Sequence, residues 1–227
     1  MKLLSGKEKK DKIKKRLKKM AVLVLITGDS GTGKSSSMRS FRGDEASCFG
    51  VARKPLPFKN ENKIPFIVIS SYEDLKAKLK IAKNKSLIID DAQYLMAFEF
   101  FGSIEEKGYE KFTRMGKNFY SLIKLAGNLA DDKIVYFIMH TEHTADGYEK
   151  AKTLGHLLDE KLTLEGLFTI SLKTVLQNET GGENVYLFST QNSGFDRVKT
   201  PIGMFESRYI PNDLKLVDSK IREYYQI

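Results

Sequence analysis

Gly28-Asp29-Ser30-Gly31-Thr32-Gly33-Lys34-Ser35 carries the spacing G-x-x-x-x-G-K-[ST]. Glycines at these positions let the backbone curl so that successive N–H groups converge on one concavity, where they hold phosphate oxygens. Ser36 then opens a helix whose N-terminal partial charge adds to the cradle. Lys34 can reach β- and γ-phosphates, and the Ser35 hydroxyl can ligate Mg²⁺. The four fixed positions arise by chance in about one chain in a hundred of this length. Two acids further on complete the chemistry. Asp90 suits the Mg²⁺ shell, and Asp91 stands where a carboxylate can polarise an attacking water. His140, at the tip of another apolar run, can sense a γ-phosphate; a lone histidine takes such a role only through its position.

These residues need elements to aim them. Residues 21–27 are uncharged and mostly branched, which predicts a buried strand running into the loop. A helix over 36–41 follows and stops near Arg42-Gly43. Residues 46–52 and 64–70 read as strands, and 72–82 as a helix with Leu75, Leu79 and Ala82 on one face. Between them, Lys54-Pro55-Leu56-Pro57-Phe58 is an extended loop, because two prolines remove donors and push their predecessors to extended geometry. Ser86-Leu87-Ile88-Ile89-Asp90 is a buried strand that delivers its acids at its C-terminal end, as an open parallel sheet does. Helices are expected over 94–101 and 111–129, the second with an apolar stripe from Phe112 to Ala126 that belongs to the core. A strand over 133–139 leads to His140-Thr141-Glu142. The polar, Gly-containing stretch 141–152 is expected to be a mobile loop, and 154–162 a short helix. Residues 167–176 and 185–189 pair as an antiparallel hairpin. A polar, Gly- and Pro-containing stretch with Arg197 and Lys199 follows, and a helix over 213–225 closes the chain.

The 227 residues suit one α/β domain over 21–227. The formal charge of +9 is concentrated at one end: residues 1–20 hold ten Lys/Arg against Glu8 and Asp11, which leaves +1 for all the rest. This basic N-terminal tail is either solvated or, with Ile13, Leu17 and Met20 at helical spacing, a one-sided basic helix against phosphates or a partner. A single cysteine, Cys48, excludes a disulfide framework and fits the cytoplasm. No stretch is long and apolar enough for a membrane span.

With the phosphate loop, KPLPF, LIIDDAQYLM, the strand ending in IMH and the TPIGMF segment taken in order, the chain resembles phage-encoded P-loop ATPases of the RecA-core type, from about residue 21 to 225. These are described as single-strand annealing or recombination proteins, or simply as phage AAA-family ATP-binding proteins. The resemblance implies a RecA-like, mostly parallel sheet flanked by helices, and ATP with Mg²⁺ as cofactors. It also implies single-stranded DNA and phage recombination or replication proteins as partners, in the host cytoplasm, and a homo-oligomer. It places Lys34 and Ser35 at the phosphates and metal, Asp90 at the metal, and His140 as the sensor that relatives supply as an amide. It makes 141–152 a DNA-contacting loop in which Tyr148, Lys150 and Lys152 combine a stacking face with cations. Arg197 and Lys199 become candidate cationic fingers toward a neighbouring subunit. One departure stands out: the acid that RecA places after its second strand has no counterpart over 51–58, so Asp91 or Glu142 must activate water, or ATP acts chiefly as a binding switch.

Three functions stay open. The first is an ATPase acting on single-stranded DNA. The second is a nucleotide-gated assembly or loader protein with a protein partner and little hydrolysis. A small-molecule kinase is third, and lacks an Arg-rich lid. A GTPase is disfavoured because no N-K-x-D motif occurs; Asn84-Lys85-Ser86-Leu87 fails at its last position.

Overall fold

The computed structural model describes residues 20–154, 162–178 and 182–227. Its centre is a mostly parallel sheet. Strands β1 (Val22–Gly28), β2 (Ala46–Gly50), β3 (Phe66–Val68), β4 (Ser86–Asp90), β5 (Ile134–His143) and β7 (Ile170–Asn178) run parallel. Strand β6 (Glu149–Ala151) pairs antiparallel with the end of β5. Strands β8 (Asn184–Ser189) and β9 (Tyr209–Pro211) extend the β7 edge in antiparallel fashion, as the expected hairpin requires. The order is β3-β2-β4-β5-β1-β7-β8-β9.

Residues of the central strands alternate between two apolar layers, which explains why their sequences are continuously hydrophobic rather than alternating. Leu25, Phe49, Leu87, Ile89, Val135 and Phe137 face one layer. There they meet helices α1 (Tyr72–Ile81), α2 (Tyr94–Gly102) and α3 (Glu110–Gly127), the last through Met115, Phe119, Leu122 and Ile123. Val24, Ile26, Cys48, Ile88, Tyr136 and Ile138 face the other layer, against Met38, Phe41 and helix α4 (Leu214–Tyr225) with Leu214, Val217 and Ile221. This is helix on both sides of a sheet. A buried polar knot pins α4: the Tyr136 and Ser86 hydroxyls donate to Asp218 Oδ2 at 2.9 and 2.5 Å, and Arg222 Nε donates to Asp218 Oδ1 at 2.6 Å.

Several expectations shift. The helix after the phosphate loop is a six-residue 3₁₀ helix, Ser35–Ser40, and Phe41 is already extended. Three successive serines favour local bonds over helix propagation, and Ser37 Oγ donates back to Lys34 O at 2.6 Å. Strands β2 and β3 are shorter than predicted, and residues 51–65 connect them as the prolines demand. The stretch 141–152 is not an irregular loop. Strand β5 continues to His143 and folds back on β6, with Glu142 opposite Lys150 and His143 opposite Glu149. The helix expected over 154–162 lies almost wholly outside the described residues; a 3₁₀ turn, Leu164–Leu167, follows that gap. The basic tail also lies outside them, except Met20. Among the described residues, no helix is long and apolar enough to cross a membrane.

Candidate functional site

Parallel strands with crossover connections bring loops to their C-terminal ends, and there the sequence-predicted groups converge. Strand β5 lies between β1 and β4. Gly28 therefore sits in register with His140, and Ala92, just past the acid strand, donates its N–H to Ile138 O at 2.9 Å. The tips of β1, β5 and β4 form one edge.

The phosphate loop is built as its spacing predicts. Gly31 and Gly33 adopt φ of +83° and +91°, the left-handed region that glycine enters without strain. A side chain on Gly33 would sit 2.9 Å from Tyr186 Cδ1 and 3.2 Å from Asn212 Oδ1. At Gly28 a Cβ would overlap Thr174 Oγ1, so β7 presses directly on the loop. Thr32 closes it, donating to Asp29 O at 2.7 Å and meeting the Thr174 hydroxyl at 2.5 Å. Lys34 is buried; its ammonium donates to Gly28 O at 2.9 Å and Asp29 O at 2.7 Å, spanning the mouth of its own loop. Burial holds Lys34 below the ordinary lysine pKa, against the pull of Asp91, Asp90 and Asp29. Ser30 and Ser36 line the same cleft.

Ser35 Oγ donates to Asp90 Oδ1 at 2.8 Å. A hydroxyl and a carboxylate in contact beside a phosphate cradle fit Mg²⁺, which takes a few hard protein oxygens and completes its shell with water and phosphate. Among the described residues, no cluster of three or more His, Cys, Asp or Glu offers an all-protein metal cage. Burial, together with the neighbouring Asp91 charge, pushes Asp90 up to about 6. A cation placed there would favour its charged form.

Asp91 has a different environment. Its φ of +59° is the left-handed region, which a non-glycine enters at a cost. Its side chain is 2% exposed and has two close partners: Lys54 Nζ pairs with Oδ2 at 2.5 Å, and His140 Nε2 lies 3.5 Å from Oδ1. Burial raises the Asp91 pKa, but bonds from His140 and Lys54 outweigh it and hold the carboxyl below its ordinary value. Two adjacent acids are thus driven in opposite directions. The His140 backbone N–H donates to Gln93 Oε1 at 3.3 Å, which fixes the strand tip against the acid turn.

The cleft encloses about 580 Å³. Lys54, Asp91 and His140 line it together with Arg39, Phe58, Tyr186 and Asn212. Glu142 is not among the lining residues; it lies 3.8 Å from Lys150 across the β5–β6 hairpin. Arg197 stacks its guanidinium over Tyr148 at 5.9 Å, and Lys199 is tied to Ser171 through its backbone, so neither lines the cleft of its own chain. Lys152 is bound through its N–H to His140 O. Sequence reasoning missed Lys54, Thr174, Tyr186 and Asn212. The only signal was that Lys54 opens the KPLPF segment.

No family model matches the sequence, and no curated protein is significantly similar to it. Among solved structures, the chain is similar to the pilus retraction motor PilT with bound ADP. The identity is 12% and the TM-score 0.38, over 95% of this chain and 56% of that one. The chain spans little more than half the length of that motor, and at this TM-score the likeness carries no inference about activity. What the sheet and the loop themselves define is a P-loop α/β architecture, in which an acid strand and a histidine strand end beside the phosphate cradle.

Proposed function

We propose that this chain binds ATP with Mg²⁺ in the cleft around residues 28–36 and hydrolyses it in support of work on single-stranded DNA, as an assembly of several copies. The observation that carries this reading is the convergence of Lys34, the Ser35–Asp90 pair and the Asp91–His140–Lys54 cluster on one cleft. The loop amides and Lys34 bind and orient the phosphates. Ser35 and Asp90 would hold Mg²⁺, which supplies charge neutralisation at the phosphate oxygens when bound. Asp91, kept ionised, accepts a hydrogen bond from the attacking water and aligns it. His140 orients Asp91 and lines the same cleft. Lys54 places a second cation in the same cleft as Lys34.

Support for a single-stranded partner comes from the β5–β6 hairpin and the 195–197 segment bonded to it through Glu149 N–H and Phe195 O. Tyr148 and Phe195 are both exposed, with ring centroids 5.7 Å apart, and Arg197 lies over Tyr148. Stacking faces with a cation are the sequence-tolerant means of holding unpaired bases. His143, on the same hairpin, lies 3.0 Å from Asp29 Oδ1 in the phosphate loop, so occupancy of the loop can bias the hairpin.

The engagement of Asp91 by both Lys54 and His140 favours a second reading: ATP works as a binding switch, with turnover low until a partner frees the carboxylate. Both readings are tested by ATP hydrolysis with and without single-stranded DNA, for the full chain and for a chain lacking residues 1–19. Stimulation that survives the deletion supports a DNA-responsive core. ATP binding with no stimulation moves the assignment to the switch.

A further inference from the structure

Asn212 is 2% exposed, and it lines the cleft. Its backbone is fully engaged: the N–H donates to Tyr186 O at 3.1 Å, and the carbonyl accepts from Arg39 Nη1 at 2.9 Å. Its side chain is the opposite. Both Nδ2 and Oδ1 are buried and have no hydrogen-bond partner among the described residues. Leaving a buried amide unpaired costs free energy, and such groups are rare unless something else satisfies them. The carboxamide stands next to Gly33 in the cleft. There a Cβ on Gly33 would be 3.2 Å from Oδ1, and the Tyr186 ring flanks the same point.

We infer that Asn212 binds the nucleoside part of the nucleotide, through a donor and an acceptor that the protein leaves free for it. This rests on the nucleotide reading above and deepens it. The phosphate cradle already has its donors in the loop amides and Lys34, and a phosphate has no use for the acceptor Oδ1. A nucleoside presents donors and acceptors side by side. A carboxamide matches adenine through the N6 amino group with N7, and it can equally engage the vicinal hydroxyls of ribose. Arg39 fixes the Asn212 main chain from the 3₁₀ helix, bonding Ser36 O as well, so the amide is held in register with the loop. Tyr186 supplies an apolar face beside it.

The test is a binding titration of ATP, GTP and inorganic triphosphate, each with Mg²⁺, against the wild-type chain, Asn212→Ala, Asn212→Asp and Lys34→Ala. The expected result is that Asn212→Ala weakens ATP about tenfold while triphosphate binds as to wild type. Asn212→Asp, which keeps the shape but exchanges the donor for a negative charge, weakens ATP at least as much, and Lys34→Ala loses all three ligands. Loss of ATP alone assigns the contact to the base, and equal loss of ATP and GTP assigns it to the sugar; either supports the inference. Unchanged ATP affinity, or parallel loss of ATP and triphosphate in both Asn212 variants, overturns it. If the wild-type chain binds neither ATP nor triphosphate, the nucleotide reading itself fails and the inference falls with it.

Discussion

Asp90 and Asp91 are adjacent in the chain, yet their surroundings separate their chemistry. Asp90 is buried, bonded to one neutral hydroxyl and repelled by its neighbour, with Lys54 and Lys34 acting on it only through space; Asp91 is in direct contact with Lys54 and His140. In the proposed site the first would receive Mg²⁺ and the second would stay charged beside the attacking water. Asp91→Asn keeps the shape and removes the charge. Steady-state assays should therefore show ATP turnover falling by about a hundredfold or more while ATP affinity stays within a few fold. Equal turnover in the variant would remove Asp91 from the chemistry. Lys54 was illegible in the sequence because its partner lies in a different strand connection, and no periodicity links a loop lysine to an acid turn. Asn212 was illegible for the same reason. The loop motif, by contrast, is contiguous, so its residue types and spacing carried their chemistry without the fold.

At the scale of elements, two devices hold the site's surroundings. The first is the phosphate loop's need for a left-handed residue at Gly33. Gly33→Ala places a Cβ against Tyr186 at 2.9 Å and costs about 1–2 kcal/mol in backbone conformation alone. Calorimetric titration should then show ATP affinity reduced at least about tenfold. The second is the start of α1. Ser71 Oγ accepts from Asp74 N at 3.1 Å, while Asp74 Oδ2 accepts from Ser70 N and its hydroxyl at 3.0 Å, a reciprocal cap. Lys78, through its hydrogen bond, and then the Ser70 N–H hold the Asp74 carboxyl below its ordinary value of 3.8. A depressed folded-state value means that the stabilisation is present above the unfolded value and is lost as pH falls through the folded one. Thermal unfolding of Asp74→Asn should thus differ most from wild type above pH 4 and converge with it in stronger acid. A constant difference at all pH values would contradict this cap. The helix itself was readable from the spacing of Leu75, Leu79 and Ala82. The 3₁₀ helix and the β5–β6 hairpin were not, since three serines and a polar, Gly-containing segment leave local preference weak, and packing and strand pairing decide.

For the whole molecule, the strand order does the positioning. Inserting β5 between β1 and β4 sets His140 between the loop and the acids, and stacking helices on both faces leaves the C-terminal edge of the sheet open for these groups to meet. The layered α/β class, the central strands and the antiparallel hairpin at the β7 edge were legible because buried parallel strands read as short apolar runs. The cleft's far wall was not, because β8 and β9 bring Tyr186 and Asn212 back from more than 150 residues beyond the loop, a distance over which residue pattern says nothing about contact. We propose this edge as a Mg²⁺–ATP site. The most direct test is calorimetric titration of ATP into the full chain with Mg²⁺ and with EDTA, beside Lys34→Ala. The expected result is one saturable site that weakens markedly in EDTA and is lost in Lys34→Ala. Wild-type affinity in the Lys34→Ala variant would contradict it.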